Sequence, residues 1–278
     1  MSAARTAVAA ASVAAVILSG CGPSAQRVDG PPAVPAVPDV PAASAIADAE
    51  RARVGSLAVL HARGVAELRW TDETGAHFEQ GDADVRWLRG AGIAVSVSKL
   101  GDRHAWIGSD GTRWWRFEPK AEPSRLVWGR VGAGSVSGGT PSPRALGLAP
   151  LLPRDGARPE LRGGVVWVEL EPEGASRVEA GFDRRSLAPL EVRTIGADGR
   201  EIHVAFEGFV AVDTPGAAEG AWPRIPRRTR ATVAGTESSL VVAVDAARAD
   251  ASTADRPALY DLDALRQRFA PVSVEEQR

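Results

Sequence analysis

The sequence predicts a mainly-β protein with a few helices, its strands running as one long antiparallel meander. Three observations carry that expectation. Between Gly64 and Asp245 about ten or eleven short segments alternate apolar and polar residues or concentrate β-branched and aromatic ones. The connections between them are mostly of hairpin length, and short connections force antiparallel neighbours because parallel pairing needs a long crossover. Only one stretch ahead of them has a helical period.

That stretch runs from Ala42 to about Ala62. Ile46, Ala49, Val54, Leu57 and Leu60 trace one apolar stripe, with Arg53 among them, so the helix is expected to lie on something else. Ser44 is placed to cap its start, Asp48 and Glu50 sit in early turns where they suit the helix dipole, and Gly64 stops it.

The strands follow in order. Val65 to Trp70 leads through the turn Asp72-Glu73-Thr74-Gly75 into a segment from His77 to Trp87. Ile93, Val95 and Val97 alternate with Ala94, Ser96 and Ser98, which gives one greasy face. Ala105-Trp106-Ile107 enters the turn Gly108-Ser109-Asp110-Gly111, and Arg113-Trp114-Trp115-Arg116-Phe117 leaves it as a hairpin. Val165 to Leu170, Arg177 to Phe182 and Leu190 to Ile195 come next. After the turn Gly196-Ala197-Asp198-Gly199 follow Ile202 to Val212, Thr229 to Val233 and Leu240 to Asp245. Residues 132–143, rich in Gly and Ser, read as a flexible loop. Ala145 to Leu152 is a short apolar piece expected to be helical at its start, and Asp261 to Phe269 a brief helix, after which the chain should fray.

Ahead of this domain the chain reads as an export signal and a tether. Ala7 to Leu18 is an uninterrupted apolar run of 12 residues behind Arg5. A spanning helix needs about 20 such residues, a signal core 7–15. The run ends in Leu18-Ser19-Gly20-Cys21, which resembles a bacterial lipobox, and Cys21 is the chain's single cysteine. The resemblance implies cleavage before Cys21, a diacylglycerol on its thiol and acylation of the new amino terminus; the alternative is a signal cut elsewhere. Residues 1–20 are then the signal peptide and 21–44 a Pro-rich tether. Such a tether samples extended polyproline II at about 3.1 Å per residue, a reach on the order of 60 Å. Residues 45–278 form the folded domain.

Composition narrows the partners. The chain has 33 basic and 35 acidic residues; residues 1–20 hold only Arg5, so the mature chain has 32 against 35, a charge of −3. That balance gives no reason to expect nucleic acid or an anionic surface as partner. With one cysteine no internal disulfide can form, so stability rests on the core.

One helix, a long meander, a mid-chain apolar piece and a lipobox together resemble the lipoprotein-localisation factors of the LolA/LolB type. The phrases that carry the likeness are Gly64 to Trp70, Ser98-Lys99-Leu100-Gly101, Trp106 to Phe117, and Asp183 to Gly199. The resemblance spans about residues 45–245 and implies an unclosed half-barrel, a strongly curved sheet closed by one or two helices over an apolar hollow that receives acyl chains. Physics supports the curl: a sheet of this length cannot stay flat, and its concave side needs a plug or a ligand. The stretch 46–60 and Ala145 to Leu152 are the expected plugs. A displaceable lid would seat a hydrocarbon chain at roughly 0.8 kcal/mol per buried methylene.

The residues expected to line the hollow are Leu57, Trp106, Trp114, Trp115, Phe117, Leu148 and Trp167, with Trp87 and Trp128 close in sequence. Trp114 and Trp115 must point to opposite faces of a strand, so at most one lines it. The rings are either plain core or acyl-chain lining. Ala145 to Leu152 is either a buried plug or an exposed loop inserting into a membrane or partner. Arg227, Arg228 and Arg230 read as a solvated edge that blunts strand pairing, or as a contact for lipid headgroups.

Enzymatic readings have little support. His61, His77, His104 and His203 are dispersed with no metal-ligand spacing, and there is no Gly-x-Ser-x-Gly elbow and no phosphate-binding Gly-Lys-Ser/Thr. Glu169 and Glu171 share a strand face, where paired acids are usually solvated. No cofactor is expected. The expected function is a lipid-anchored envelope protein, tied to the membrane through Cys21, that binds or hands on acyl chains of lipids or lipoproteins. A structural or assembly lipoprotein using its sheet as a scaffold is the alternative, with an enzyme third. Gly22 is not the acidic residue that retains lipoproteins at the inner membrane in the best-known system, which points to the outer membrane in a cell that has one.

Overall fold

The computed structural model describes residues 40–277 apart from 73–74, 131–141, 145, 173–175, 197–198 and 254–256. The signal, Cys21 and nearly all of the tether lie outside the described residues.

A helix, α1 (Ala43–Val54), precedes two meanders. The first comprises β1 (Val59–Asp72), β2 (Gly75–Leu88), β3 (Gly92–Lys99), β4 (Asp102–Ser109), β5 (Arg113–Glu118) and β6 (Arg125–Arg130). The second comprises β7 (Glu160–Arg162), β8 (Val165–Glu169), β9 (Arg177–Asp183), β10 (Pro189–Ile195), β11 (Glu201–Ala211), β12 (Arg224–Val233) and β13 (Ser239–Arg248). The chain ends with α2 (Leu262–Phe269) and β14 (Ser273–Gln277). All strands join one sheet of 14 in the order β14-β6-β5-β4-β3-β2-β1-β13-β12-β11-β10-β9-β8-β7. Antiparallel pairing of β1 with β13 welds the meanders together, and the edges β14 and β7 do not meet.

The sheet is strongly curved, as the packing of α1 requires. Val54 shares an apolar cluster with β1, β2, β3, β12 and β13, while Ile46 shares one with β8 to β11. Those strands laid flat would span on the order of 40 Å at ~4.8 Å each, against a helix about 10 Å across and ~18 Å long. The sheet has to wrap α1 for both ends of so short a helix to find such distant strands. The result is an unclosed half-barrel whose concave face holds α1 and the turn at residues 142–152.

Several expectations are corrected. The helix ends at Val54, not near Ala62, because residues 59–62 pair with β2, and His61 and Ala62 with β13 as well. Leu57 and Leu60 fit a helical stripe, but Leu57 lies in the connection before β1 and Leu60 within it, paired with Trp87, and both still turn to the concave core. Ser44 is not the cap: the N-cap is Ala42, with no side-chain hydrogen bond. Gly64 lies inside β1 at a bulge opposite β13, where a Cβ would stand 1.8 Å from the Ala243 carbonyl oxygen. The described part of residues 142–152 is a turn and not a helix, with Leu148 N–H donating to Pro143 O at 2.8 Å. The meander is not purely antiparallel either. Residues 273–277 do not fray; β14 adds to β6 in parallel, and the strap that precedes it, in its described parts 249–253 and 257–272, lies on the outer face between β13 and the sheet edge. That strap is the long crossover that parallel pairing needs.

Candidate functional site

The concave face is the candidate site, and its cover is pinned by a buried ion pair. Glu50, on the sheet side of α1, is fully buried. Its Oε1 accepts from Arg53 Nε at 2.7 Å; its Oε2 accepts from Arg53 Nη2 at 2.7 Å and from the Leu151 backbone N–H at 3.0 Å. Arg53 Nη1 donates to the Gly147 and Arg224 carbonyls, both at 2.9 Å. One turn of α1 therefore holds both ends of the segment 147–151 and the start of β12. The fork-to-carboxylate geometry and backbone partners satisfy charges that would otherwise be costly to bury. Leu146, Leu148 and Leu151, each at most 5 % exposed, fill the space beside α1. The apolar piece is thus a buried plug and not an exposed loop. Gly147 takes φ +68° at the plug's closest approach to the sheet, where a Cβ would strike the Pro226 ring at 2.7 Å.

Register fixes where each expected lining residue points, since directly paired residues share a face. Leu57 and Leu148 belong to the concave cluster with Val54, Trp87 and Ile225. Trp114 pairs with Ser109, which pairs with Ile93, so it faces the concave side and is buried there. Trp106, Trp115 and Phe117 take the opposite parity. They pack on the outer face with Leu126 beneath Leu262 and Leu265 of α2, and Phe269 meets Trp106 edge-on at 5.4 Å between ring centroids. Trp167 also faces outward, with the Arg193 guanidinium 4.2 Å from its ring centroid. Of the seven expected residues the structure brings Leu57, Leu148 and Trp114 to the concave face and sends the other four outside. Trp114 and Trp115 part as strand geometry demands.

Ile46, Glu50, Arg53, Leu146 and Leu151 form the concave site's cover and were not singled out as site residues in the sequence. The available signal was the Glu50–Arg53 spacing of three within the helix, legible as a pair but not as a buried one.

Two voids can be placed. One of about 10 Å³, room for no more than a single water, lies under α2 among Trp106, Trp115, Phe117, Leu126, Leu265 and Pro271. The other, about 200 Å³, is a polar cleft on the outer face near β7, lined by Arg154, Arg162, Arg177, Glu160 and Glu179 among others. Neither offers an acyl chain a preformed apolar seat. Among the described residues no His/Cys/Asp/Glu group could hold a metal ion, and no helix is long and apolar enough to cross a membrane.

Opposite the strap's start, the outer face carries a charged group. His61 Nε2 lies 2.7 Å from Asp84 Oδ2, Arg86 Nε donates to Asp84 Oδ1 at 2.8 Å, and His61 Nδ1 is 3.6 Å from Asp250 Oδ2. Burial pushes the Asp84 carboxyl up, but hydrogen bonds from Arg86 and His61 outweigh it and leave the group below the usual carboxylate range.

Comparison with known proteins gives likeness in structure alone. No protein-family model matches the chain, and no curated protein is significantly similar to it in sequence. Solved structures similar to it include a LolA superfamily protein from Nitrosomonas europaea (12 % identity, 76 % of this chain and 94 % of that one, TM-score 0.47). Another is a domain from Vibrio parahaemolyticus described as an outer membrane lipoprotein-sorting protein (12 %, 79 % and 100 %, 0.47). A third is a DUF1329 family protein from Desulfovibrio piger (13 %, 80 % and 98 %, 0.49).

Proposed function

We propose that this chain is a lipid-anchored cell-envelope protein, tethered through Cys21, whose concave face binds or passes on acyl chains when its cover is displaced. The observation that supports the reading most is the composition of that cover. Two small elements, α1 and the plug, fill a half-barrel whose walls are mostly apolar, with Ser109 and Thr229 as buried polar members, and the Glu50–Arg53 pair of α1 holds the plug through Leu151 N–H and Gly147 O. Lifting them together would expose Val85, Trp87, Ile225, Val242 and Val244 to a hydrocarbon chain without unpairing any strand. A chain of ten or more buried methylenes at ~0.8 kcal/mol each would offset the loss of that packing.

The β3–β4 hairpin tip supports a membrane-facing rim. Leu100 is 99 % exposed and holds φ +53°, a conformation costly for a leucine. A large apolar side chain kept there, where Asn or Gly would relieve the strain, fits a lipid surface better than water.

The packed interior favours a second reading, in which the sheet is a scaffold for protein contacts and the cover never leaves. Solvent extraction of the protein purified from cells separates the two. Acyl lipid recovered at about one chain per protein, beyond the anchor itself, supports binding; its absence, with no uptake of added oleate, supports the scaffold. Cys21→Ala should release the protein from membranes, and retention there would count against the anchor.

A further inference from the structure

We propose that His61 is a proton-operated latch on the C-terminal strap: as imidazolium it bridges Asp84 of β2 and Asp250 of the strap, and on losing a proton it lets the strap loosen. The inference is independent of lipid binding. It rests on the placing of one imidazole between two carboxylates that belong to different layers of the molecule.

A neutral imidazole has one N–H and can donate to one carboxylate only; the imidazolium has two and can donate to both. His61 meets a carboxylate oxygen at each ring nitrogen, at 2.7 Å on the sheet side and 3.6 Å on the strap side. The shorter contact is also braced by Arg86, whose fork grips Asp84 through Nε and Nη2. Arg86 Nη2 also lies 3.4 Å from His61 Nε2, but a lone pair there would face the Asp84 carboxylate at 2.7 Å, so a single remaining proton stays at Nε2 and the strap contact is left without a donor. Asp250 also accepts from the Ser252 backbone N–H at 3.0 Å, within its own turn, so it need not follow the imidazole.

The surrounding groups do not titrate across the same interval. Arg86 on β2, Arg103 on β4, Arg248 on β13 and Arg268 on α2 stay cationic. The Ser252 side-chain and backbone hydrogen bonds hold Asp250 below the usual carboxylate range, and Asp84 lies below it too, so both remain acceptors in mild acid. Tyr260, whose buried hydroxyl has no hydrogen-bond partner among the described residues, is pushed up to about 12, chiefly by burial, and stays neutral. Histidine is the side chain whose charge changes between pH 5 and 8. The sign is then fixed: the strap is held on the acid side of the His61 transition and released on the alkaline side.

Release would matter because of what the strap covers. Beyond Asp250 it carries Tyr260, Leu262, Leu265 and Phe269 onto the aromatic outer patch, and its end delivers β14 to the sheet edge. Arg113 Nη1 to Asp263 Oδ2 at 3.0 Å and Arg125 Nη2 to Glu275 Oε2 at 2.6 Å hold its far end. Neither pair touches His61, so loosening should begin at Asp250 and reach α2 only in part.

Hydrogen exchange on the full chain, corrected for the intrinsic pH dependence of exchange, reads the latch directly. Opening of residues 258–269 should rise about two- to five-fold from pH 5.5 to 8.5, the scale of one partly buried, long ion pair. His61→Gln should abolish the step, and the triple variant His77→Gln, His104→Gln, His203→Gln should keep it. Asp250→Asn, at a surface position whose loss leaves the core intact, should also abolish it. A wild-type chain with no step, or a step of equal size in Asp250→Asn, overturns the latch.

Discussion

The two halves of the sheet are insulated differently. In the first half the concave face of β1 to β3 packs against α1 and the plug, while the outer face of β3 to β6 packs against α2. From β7 to β12 only the concave face is covered. Its outer face carries charged ladders: Arg177 with Glu179, Arg193 with Glu191, His203 with Glu201 and Arg228 with Glu207. The strands record this. In the first half Trp114 and Trp115 are adjacent and both buried, 5 % and 0 % exposed, because each face has its own apolar partner. In the second half Val166, Val168, Val178, Ala180 and Phe182 point inward, and Trp167, a large outward ring, sits under arginines. A sheet clamped from both sides resists bending more than one clamped from inside only, so the second half and the plug beside it are where the half-barrel can open.

Substitutions can break that comparison. The largest effect is expected at the pin between α1 and the plug. Glu50→Ala leaves the Arg53 charge buried without its carboxylate and should cost about 3–5 kcal/mol in urea unfolding. Replacing both residues by apolar ones of similar size should cost much less, because no charge is then left stranded. Next come the two outward tryptophans. Trp115→Ala opens a cavity under α2 and should cost ~3–5 kcal/mol. Trp167→Ala loses arginine stacking on a face without an apolar cover and should cost distinctly less; equal costs would erase the distinction between the halves. The smallest effect has the opposite sign. Leu100→Asn relieves a left-handed strain at an exposed tip and should stabilise by up to about 1 kcal/mol, while weakening association with lipid vesicles if the tip faces a membrane.

Much of this architecture is legible in the sequence, and the illegible parts share a cause. The hairpins announce themselves: Asp110 accepts from the Thr112 and Arg113 N–H groups at 2.8 and 2.6 Å, which is the turn chemistry its Gly/Asp sequence predicts. Strand parity separates Trp114 from Trp115. Which face is concave cannot be read where both are apolar, so Trp106, Trp115 and Phe117 could be grouped with one another but not placed. β7 and β14 escape because they carry no apolar stripe of their own. β7 has three exposed residues, and β14, Ser-Val-Glu-Glu-Gln, has no apolar stripe; its partner β6 lies nearly 150 residues earlier in the chain. A strand defined by a distant partner leaves little local trace. The helix end escapes because Leu57 and Leu60 continue the helical spacing of Val54 although one lies in a connection and the other in β1, and both reach the same concave core.

Displacement of the concave cover is the central claim, and hydrogen exchange with and without oleate tests it most directly. The account predicts saturable oleate binding accompanied by faster exchange in residues 43–54 and 146–152, with the β1–β13 ladder unchanged. Saturable binding with α1 and the plug as protected as before, or no binding at all, would contradict it.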